Sequence, residues 1–302
     1  MKKEVAHIDN LSLAKIVSLK LKDIGELTKI RLSLLVVFSA VMSYLLALPK
    51  GTIDWVNVLF LALGGFLITA SSNTINQIIE KDTDKLMDRT KNRPLPANRM
   101  KPIEAYLIAG CAGVTGIFIL GVYFNMMSGF LGAISLISYA FIYTPFKKIS
   151  PIAVFIGAIP GSMPLLIGWT CVTGTITIGG IVLFAIQFFW QIPHFWSIAW
   201  LLNDDYQKAG YHLLPSNQGK NRTTALQNIP YLVCLIAVSI IPYFLGIVGI
   251  NALVIALIAG FAFLVYGIQL ATDLTDKSAR KLMFASFFYI PLVFIGFVLD
   301  KI

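Results

Sequence analysis

The sequence predicts an all-α polytopic membrane protein with nine transmembrane helices around a central cavity. Three observations predict it. Only 13% of the 302 residues are charged and 57% are hydrophobic, whereas a soluble domain is about a quarter charged. Nine apolar runs are long enough to cross a hydrocarbon layer of ~30 Å, which takes about 20 helical residues. Several links are only a few residues long, as at Phe124-Asn125 and Gly249-Ile250. Such links force neighbouring helices to run antiparallel.

Residues 1–29 come first. They are polar, with Glu4, Asp9, Asp23 and Glu26 among several lysines. They lack the apolar centre of a signal sequence, and their acids argue against a transit peptide. This cytoplasmic N-terminal segment would suit an amphipathic helix on the membrane surface. A single domain then covers 30–299. Its apolar runs are roughly 30–48, 55–79, 103–123, 126–144, 151–171, 178–202, 228–248, 251–271 and 282–299. The two long connections are 80–102 and 203–227.

Lysine and arginine set the orientation. With the N-terminus inside, 22 of the 24 basic residues fall on the inner side, leaving Lys50 and Lys301 outside. A multi-pass protein of the cell (plasma or inner) membrane follows, with a cytoplasmic N-terminus and the C-terminus outside. Both long loops then lie on the cytoplasmic side. The net charge of +9 is accounted for by topology and by attraction to anionic lipid, so no nucleic-acid partner is implied. Cys111, Cys171 and Cys234 lie in or beside apolar runs. Their odd number and spacing fit no metal motif, and they read as small core residues.

The first loop opens with the densest polar cluster in the chain. Asn76, Glu80, Asp84 and Asp88 recur every fourth residue, which puts them on one helical face. One such acid would be an ordinary solvated helix end, paired with Lys81, Lys85 or Arg89. Four oxygen-bearing side chains in one stripe, starting at membrane depth, fit Mg²⁺, which binds through a few carboxylates together with substrate phosphates. Asp82 lies off the stripe. Arg89 and Arg93 follow, and guanidinium forks match phosphate oxygens. Arg31 at the start of the first span, and Lys147 and Lys148 at the end of the fourth, could reach the same mouth. The pattern points to chemistry on a lipid diphosphate.

The second cluster runs from Trp190-Gln191-Ile-Pro-His194-Phe195 to Asn203-Asp204-Asp205 and on to Lys208 and His212. His194 lies about 12 Å inside the sixth span, counting about 1.5 Å per residue from Leu202. An ionisable group at that depth needs a partner or a task. It reads as a neutral histidine bonded between helices, a haem-iron ligand, or a proton acceptor. Asp204 and Asp205 could complete a second Mg²⁺ site. His212 reads as a surface residue.

These clusters resemble the motifs of the UbiA superfamily of intramembrane prenyltransferases, over the stretch from about Leu27 to the last helix. The family's first motif, Asn-Asp-x-x-Asp-x-x-x-Asp, falls on Asn76, Gln77, Glu80 and Asp84. Its second places aspartates at His194, Leu201, Asp204 and Asp205, two of which are replaced. Glu80 to Leu95, Trp190 to Phe195, and Asp205 to Pro215 resemble the haem-modifying branch. The resemblance implies the UbiA-type fold. It further implies transfer of the farnesyl group of farnesyl diphosphate to a vinyl group of haem b, with water addition, giving haem O and diphosphate. Haem b is then a substrate, and Mg²⁺ the cofactor.

On this resemblance Asn76, Glu80, Asp84, Asp88 and His194 carry catalysis, and Asn76, Glu80, Asp84, Asp204 and Asp205 hold metal. Arg31, Arg89, Arg93, Lys147, Lys148 and Lys208 bind the diphosphate. Trp190, Gln191, His194 and Phe195 position the haem. The product's recipients would be a haem A synthase or oxidase assembly factors. Rival readings are a prenyltransferase for an aromatic quinone precursor, a transporter of lipid or anion, and a structural oxidase subunit. His194 in place of an acid speaks against the first. The absence of clear inverted repeats speaks against the second. The third leaves the acid stripe unexplained.

Overall fold

The computed structural model describes residues 12–216 and 218–302; the first eleven residues of the N-terminal segment lie outside the described residues. Helix α1, Leu13–Thr28, comes first. It presents Leu13, Val17 and Leu21 outward and buries Leu27 in a cluster with Leu95, Met100 and Ala105. Lys29 follows with a left-handed φ of 50°. This single residue breaks the chain between α1 and the first membrane helix.

Among the described residues nine helices are long and apolar enough to cross a membrane. They are α2 Ile30–Ala47, α3 Trp55–Ile79, α4 Pro102–Phe124, α5 Met126–Phe146, α6 Ala153–Thr173, α7 Ile178–Leu201, α8 Arg222–Phe244, α9 Ile250–Asp273 and α10 Asp276–Leu299. Two expected helix starts move by more than a turn, from 228 to 222 and from 282 to 276, and caps explain both. The Asn221 side chain accepts a hydrogen bond from Thr224 N at 2.8 Å, so α8 starts before residue 228. Thr275 does the same for Ser278 N, so α10 takes in the polar run 276–281. Side-chain caps satisfy the orphan N–H groups of a first turn, and an apolarity count cannot register them.

Consecutive membrane helices pack on one another, and α10 returns to α2. Helices α6 and α7 are the most enclosed. Gly168 lets α6 approach α2 closely, since a Cβ there would stand 2.0 Å from Ala40 O. Small residues serve this purpose between membrane helices. Pro164 leaves the carbonyl of Pro160 without its helical partner, and Ser135 Oγ of α5 donates to it at 3.3 Å. At the far end Lys301 Nζ donates to Leu45 O at 2.8 Å and to Leu48 O. Lys301 is thereby tied to the carbonyls at the end of α2.

Helices α4 and α5 end in π-helical stretches, Ile119–Phe124 and Ser138–Tyr143. The second turns Tyr139 and Tyr143 into a cavity of about 280 Å³ lined by α2, α3, α5, α6, α7 and α10.

Candidate active site

The polar end of α3 is packed beneath α1. Gln77 Nε2 donates to Leu27 O at 2.7 Å and Glu26 O at 3.1 Å. These are orphan carbonyls at the end of α1. An amide can donate to them and a carboxylate cannot, which accounts for glutamine where the motif has an acid.

One helical step away, Asn76 Oδ1 accepts from Lys29 Nζ at 3.2 Å, and its Nδ2 donates to Thr144 Oγ1 at 3.1 Å. Glu80 accepts from Lys147 Nζ at 2.8 Å and from the Tyr211 hydroxyl at 3.1 Å. Asp84 accepts from Arg93 Nη1 at 2.7 Å, while its Oδ1 is buried with no partner among the described residues. Three oxygen-bearing side chains thus meet three bases, each drawn from a different segment of the chain.

Burial and charge act against each other here. Burial alone would raise the Glu80 carboxyl, but Lys147 and Lys29 outweigh it and hold it below its ordinary value. Burial likewise disfavours the Lys147 charge, yet Glu80 keeps its pKa up at about 12. Lys29 goes the other way. Burial first, then the nearby charges of Arg93 and Lys147, lower it to about 7. Burial raises Asp84 in spite of Arg93.

The cavity begins beside this cluster. Tyr143 lines it, and Lys147 Nζ sits 4.6 Å above the Tyr143 ring. Asn73, one turn before Asn76 on α3, lines it too. On the opposite wall α7 contributes Trp190, Gln191, His194 and Phe195. Gly161 leaves the space into which the Gln191 amide fits, and Gln191 Nε2 donates to Ser162 Oγ at 2.8 Å. The Trp190 ring stacks on the His194 ring at 4.7 Å and 12°. His194 Nδ1 lies 2.7 Å from Ser286 Oγ.

The profile of the UbiA prenyltransferase family matches residues 36–290. The chain is 48% identical over 277 residues to a protein of Cytophaga hutchinsonii named protoheme IX farnesyltransferase, covering 92% of this chain and 96% of that one. This chain belongs to the UbiA prenyltransferase family. Two solved structures share the UbiA fold. One, of a digeranylgeranylglyceryl phosphate synthase, has a TM-score of 0.78 at 21% identity and covers 93% of this chain and 98% of its own. The other is a UbiA homologue from Archaeoglobus fulgidus bound to DMAPP and Mg²⁺, with a TM-score of 0.64 at 15% identity, covering 91% and 99%.

Within this UbiA protein the expected site residues divide into two groups. Asn76, Glu80, Asp84, Arg93 and Lys147 come together. Asp88 does not join them, because the helical stripe stops at Asp84 and the chain turns. Its side chain is 64% exposed, against 0% for Asp84, and it pairs with Lys91 at 2.6 Å and Lys208 at 2.5 Å. Lys208 is thereby used on the loop surface. Asp205 does not oppose the acids either. Its two oxygens accept the backbone N–H groups of Asp88 and Arg89, at 2.8 and 3.2 Å. Asp204 is exposed beside Asn203, Arg89 lies over the Tyr206 ring, and Arg31 and Lys148 are exposed.

Two contributors were missed by sequence reasoning. Lys29 stands in the Thr28-Lys29-Ile30-Arg31 run, where only Arg31 drew notice. Its left-handed backbone, which turns it inward, leaves no sequence signal in a non-glycine residue. Tyr211 lies in the Asp205–Pro215 stretch and hydrogen-bonds both Glu80 and Thr83.

Asp205 therefore acts as a clamp between the two polar loops. Replacing it with alanine should speed proteolysis of the 85–101 loop and lower activity by about three- to tenfold, since about two charge-assisted hydrogen bonds are lost. Its metal dependence should stay unchanged, and a right-shifted Mg²⁺ activation curve would speak against the clamp.

Proposed function

We propose that this protein transfers the farnesyl group of farnesyl diphosphate to a vinyl group of haem b, giving haem O and diphosphate. The near full-length match to a relative named protoheme IX farnesyltransferase carries this reading. The geometry of the cluster and the cavity supports it.

The residues present suit Mg²⁺. Among the described residues no three acids, histidines or cysteines converge to hold a metal alone. Mg²⁺ at a phosphate site needs only one or two carboxylates, completed by substrate oxygens and water. Glu80, and Asp84 with its unpartnered Oδ1, would supply these, with Asn76 Oδ1 beside them. The ion would neutralise the diphosphate as negative charge develops on it.

Lys29, Lys147 and Arg93 are then the bases that receive the diphosphate oxygens. The allylic C–O bond breaks and its electron pair leaves on diphosphate. The allylic cation lies in the apolar cavity, out of reach of bulk water. Trp190 and Phe195 offer π faces there. The vinyl π bond forms the new C–C bond, and the resulting porphyrin-stabilised cation takes up water and releases a proton. His194 and its neighbours hold the porphyrin. The N-terminus and both polar loops lie in the cytoplasm, and a haem A synthase or an oxidase assembly factor receives the product.

Membranes containing the protein, supplied with farnesyl diphosphate, haem b and Mg²⁺, should yield a farnesylated hydroxyethyl haem on chromatography. A prenylated quinone precursor without this haem would overturn the reading. The pH response tests Lys29. Its pKa of about 7 rises beside an anion, so binding takes up a proton above neutrality. Affinity for farnesyl diphosphate is then greatest below about pH 7 and falls by up to about tenfold per pH unit above it. Lys29→Arg stays charged and should flatten this fall. Parallel curves for the two proteins would exclude Lys29 from the anion site.

A further inference from the structure

We propose that Ser286 is a positioning residue that fixes His194 as the tautomer protonated on Nδ1, leaving Nε2 bare towards the cavity as an axial ligand for the iron of the tetrapyrrole substrate. The choice of iron rests on the function proposed above; the tautomer does not.

A serine hydroxyl carries one proton. Ser286 Oγ lies 2.5 Å from Met283 O and 2.7 Å from His194 Nδ1. If the proton pointed at His194, two oxygen lone pairs would confront each other at the shorter distance. The proton therefore goes to Met283 O, and Ser286 can only accept from the imidazole. Nδ1 must carry the hydrogen.

The ring cannot turn to evade this arrangement. Trp190 stacks on one side of it, the Phe287 ring meets it edge-on at 5.2 Å, and Phe195 lies at 5.7 Å. Trp190 is itself held by Ser286, whose carbonyl accepts from its indole N–H at 2.8 Å. One residue of α10 thus sets both the plane and the protonation of the imidazole on α7.

A neutral imidazole has one donor nitrogen and one acceptor nitrogen. With Nδ1 committed, Nε2 is the acceptor. His194 lines the cavity, and among the described residues nothing hydrogen-bonds to Nε2. Metal-bound histidines commonly show this state, with the far N–H given to an oxygen and the near nitrogen bare. No carboxylate lines the cavity, so among the described residues no acid stands ready to protonate Nε2.

The test uses the full chain in detergent, labelled with [¹⁵N]histidine. Its three histidines are His7, His194 and His212, and His194→Gln identifies the signal. The wild-type imidazole shifts should report the Nδ1–H tautomer, Ser286→Ala should lose it, and Ser286→Thr should retain it. An Nε2–H tautomer in wild type, or no change in Ser286→Ala, overturns the positioning role.

Ferric haem b and iron-free protoporphyrin IX are then titrated separately. Ser286→Ala should weaken haem binding by about tenfold, the low end for such supporting partners, and leave the iron-free porphyrin unaffected. The nitrogen-ligated haem spectrum should vanish in His194→Gln. Equal weakening for both porphyrins, or a spectrum indifferent to His194→Gln, overturns the ligation and leaves a proton-accepting role. A wild-type protein that binds neither porphyrin refutes the proposed substrate and with it the iron ligation, while the tautomer result stands.

Discussion

Asp84→Asn should lower farnesyl transfer by about a thousandfold, and Asp88→Asn by less than about fivefold. The sequence treats these two residues alike, as successive acids in one i, i+4 row. The structure separates them. Asp84 is fully buried, touches Arg93 at 2.7 Å and keeps one oxygen without a partner among the described residues. Asp88 is on the surface, paired with lysines at both oxygens. A ligand that neutralises a leaving diphosphate contributes several kcal/mol in the transition state, and about 4 kcal/mol is about a thousandfold in rate. A solvated surface pair contributes about 0–1 kcal/mol to stability and nothing to the chemistry.

Steady-state assays of both variants, with product haem quantified, decide between these accounts. Size-exclusion profiles and thermal unfolding must first show that Asp84→Asn is folded, since it leaves Arg93 facing an amide. Equal losses in the two variants would restore the continuous stripe and remove the distinction. Asp84→Glu adds a second measure: it keeps the charge and moves it by one methylene, so partial activity is expected at raised Mg²⁺.

Why the row fails at its fourth member is a matter of local backbone. The first three members hold helical register, with Glu80 N donating to Asn76 O at 2.9 Å and Asp84 N to Glu80 O at 2.7 Å. After Asp84 the chain enters turns, and Thr90 Oγ1 donates to Asp84 O at 2.9 Å, capping the carbonyl that another helical turn would have used. Side-chain competition of this kind is short-range and strong, and periodicity averages over it. The nine spans were legible because apolar length alone decides them. Their polar ends were less so, because caps at Asn221 and Thr275 set where α8 and α10 begin.

The site was legible by residue type and only partly by place. Glu80 meets Lys147, and Asp84 meets Arg93, in one cluster at the end of α3. Asp205 was read as a metal ligand from its charge and neighbours. Its oxygens instead go to two backbone N–H groups in the other loop, a use that depends on the fold of both loops. Gln77 shows the converse. An apparent gap in the motif is explained once the carbonyls of α1 are seen above it.

Lys147→Met should destabilise the protein by about 3–5 kcal/mol, because a buried pair that loses one partner leaves an uncompensated charge. Glu80 and Lys147 are 6% and 12% exposed as side chains, so the bulk-solvent remedy is closed. Among the described residues Glu80 then keeps only the Tyr211 hydroxyl as a donor to its carboxylate. The double variant Glu80→Gln/Lys147→Met removes both charges and should regain most of that loss, as replacements of whole buried pairs do.

Activity should behave differently. The ammonium that pairs with Glu80 in the free protein is the group placed to meet the leaving diphosphate, and losing one such donor costs about a hundred- to a thousandfold in kcat. The double variant should therefore be stable and at least that inactive, with diphosphate release falling in step with product. Glu80→Gln alone is the reference, since it already removes a proposed metal ligand: a further loss of activity on adding Lys147→Met assigns Lys147 to the phosphate oxygens as well as to holding Glu80. If the double variant were as active as Glu80→Gln, Lys147 would be a structural counter-ion only, and the leaving-group charge would fall to Arg93 and Lys29.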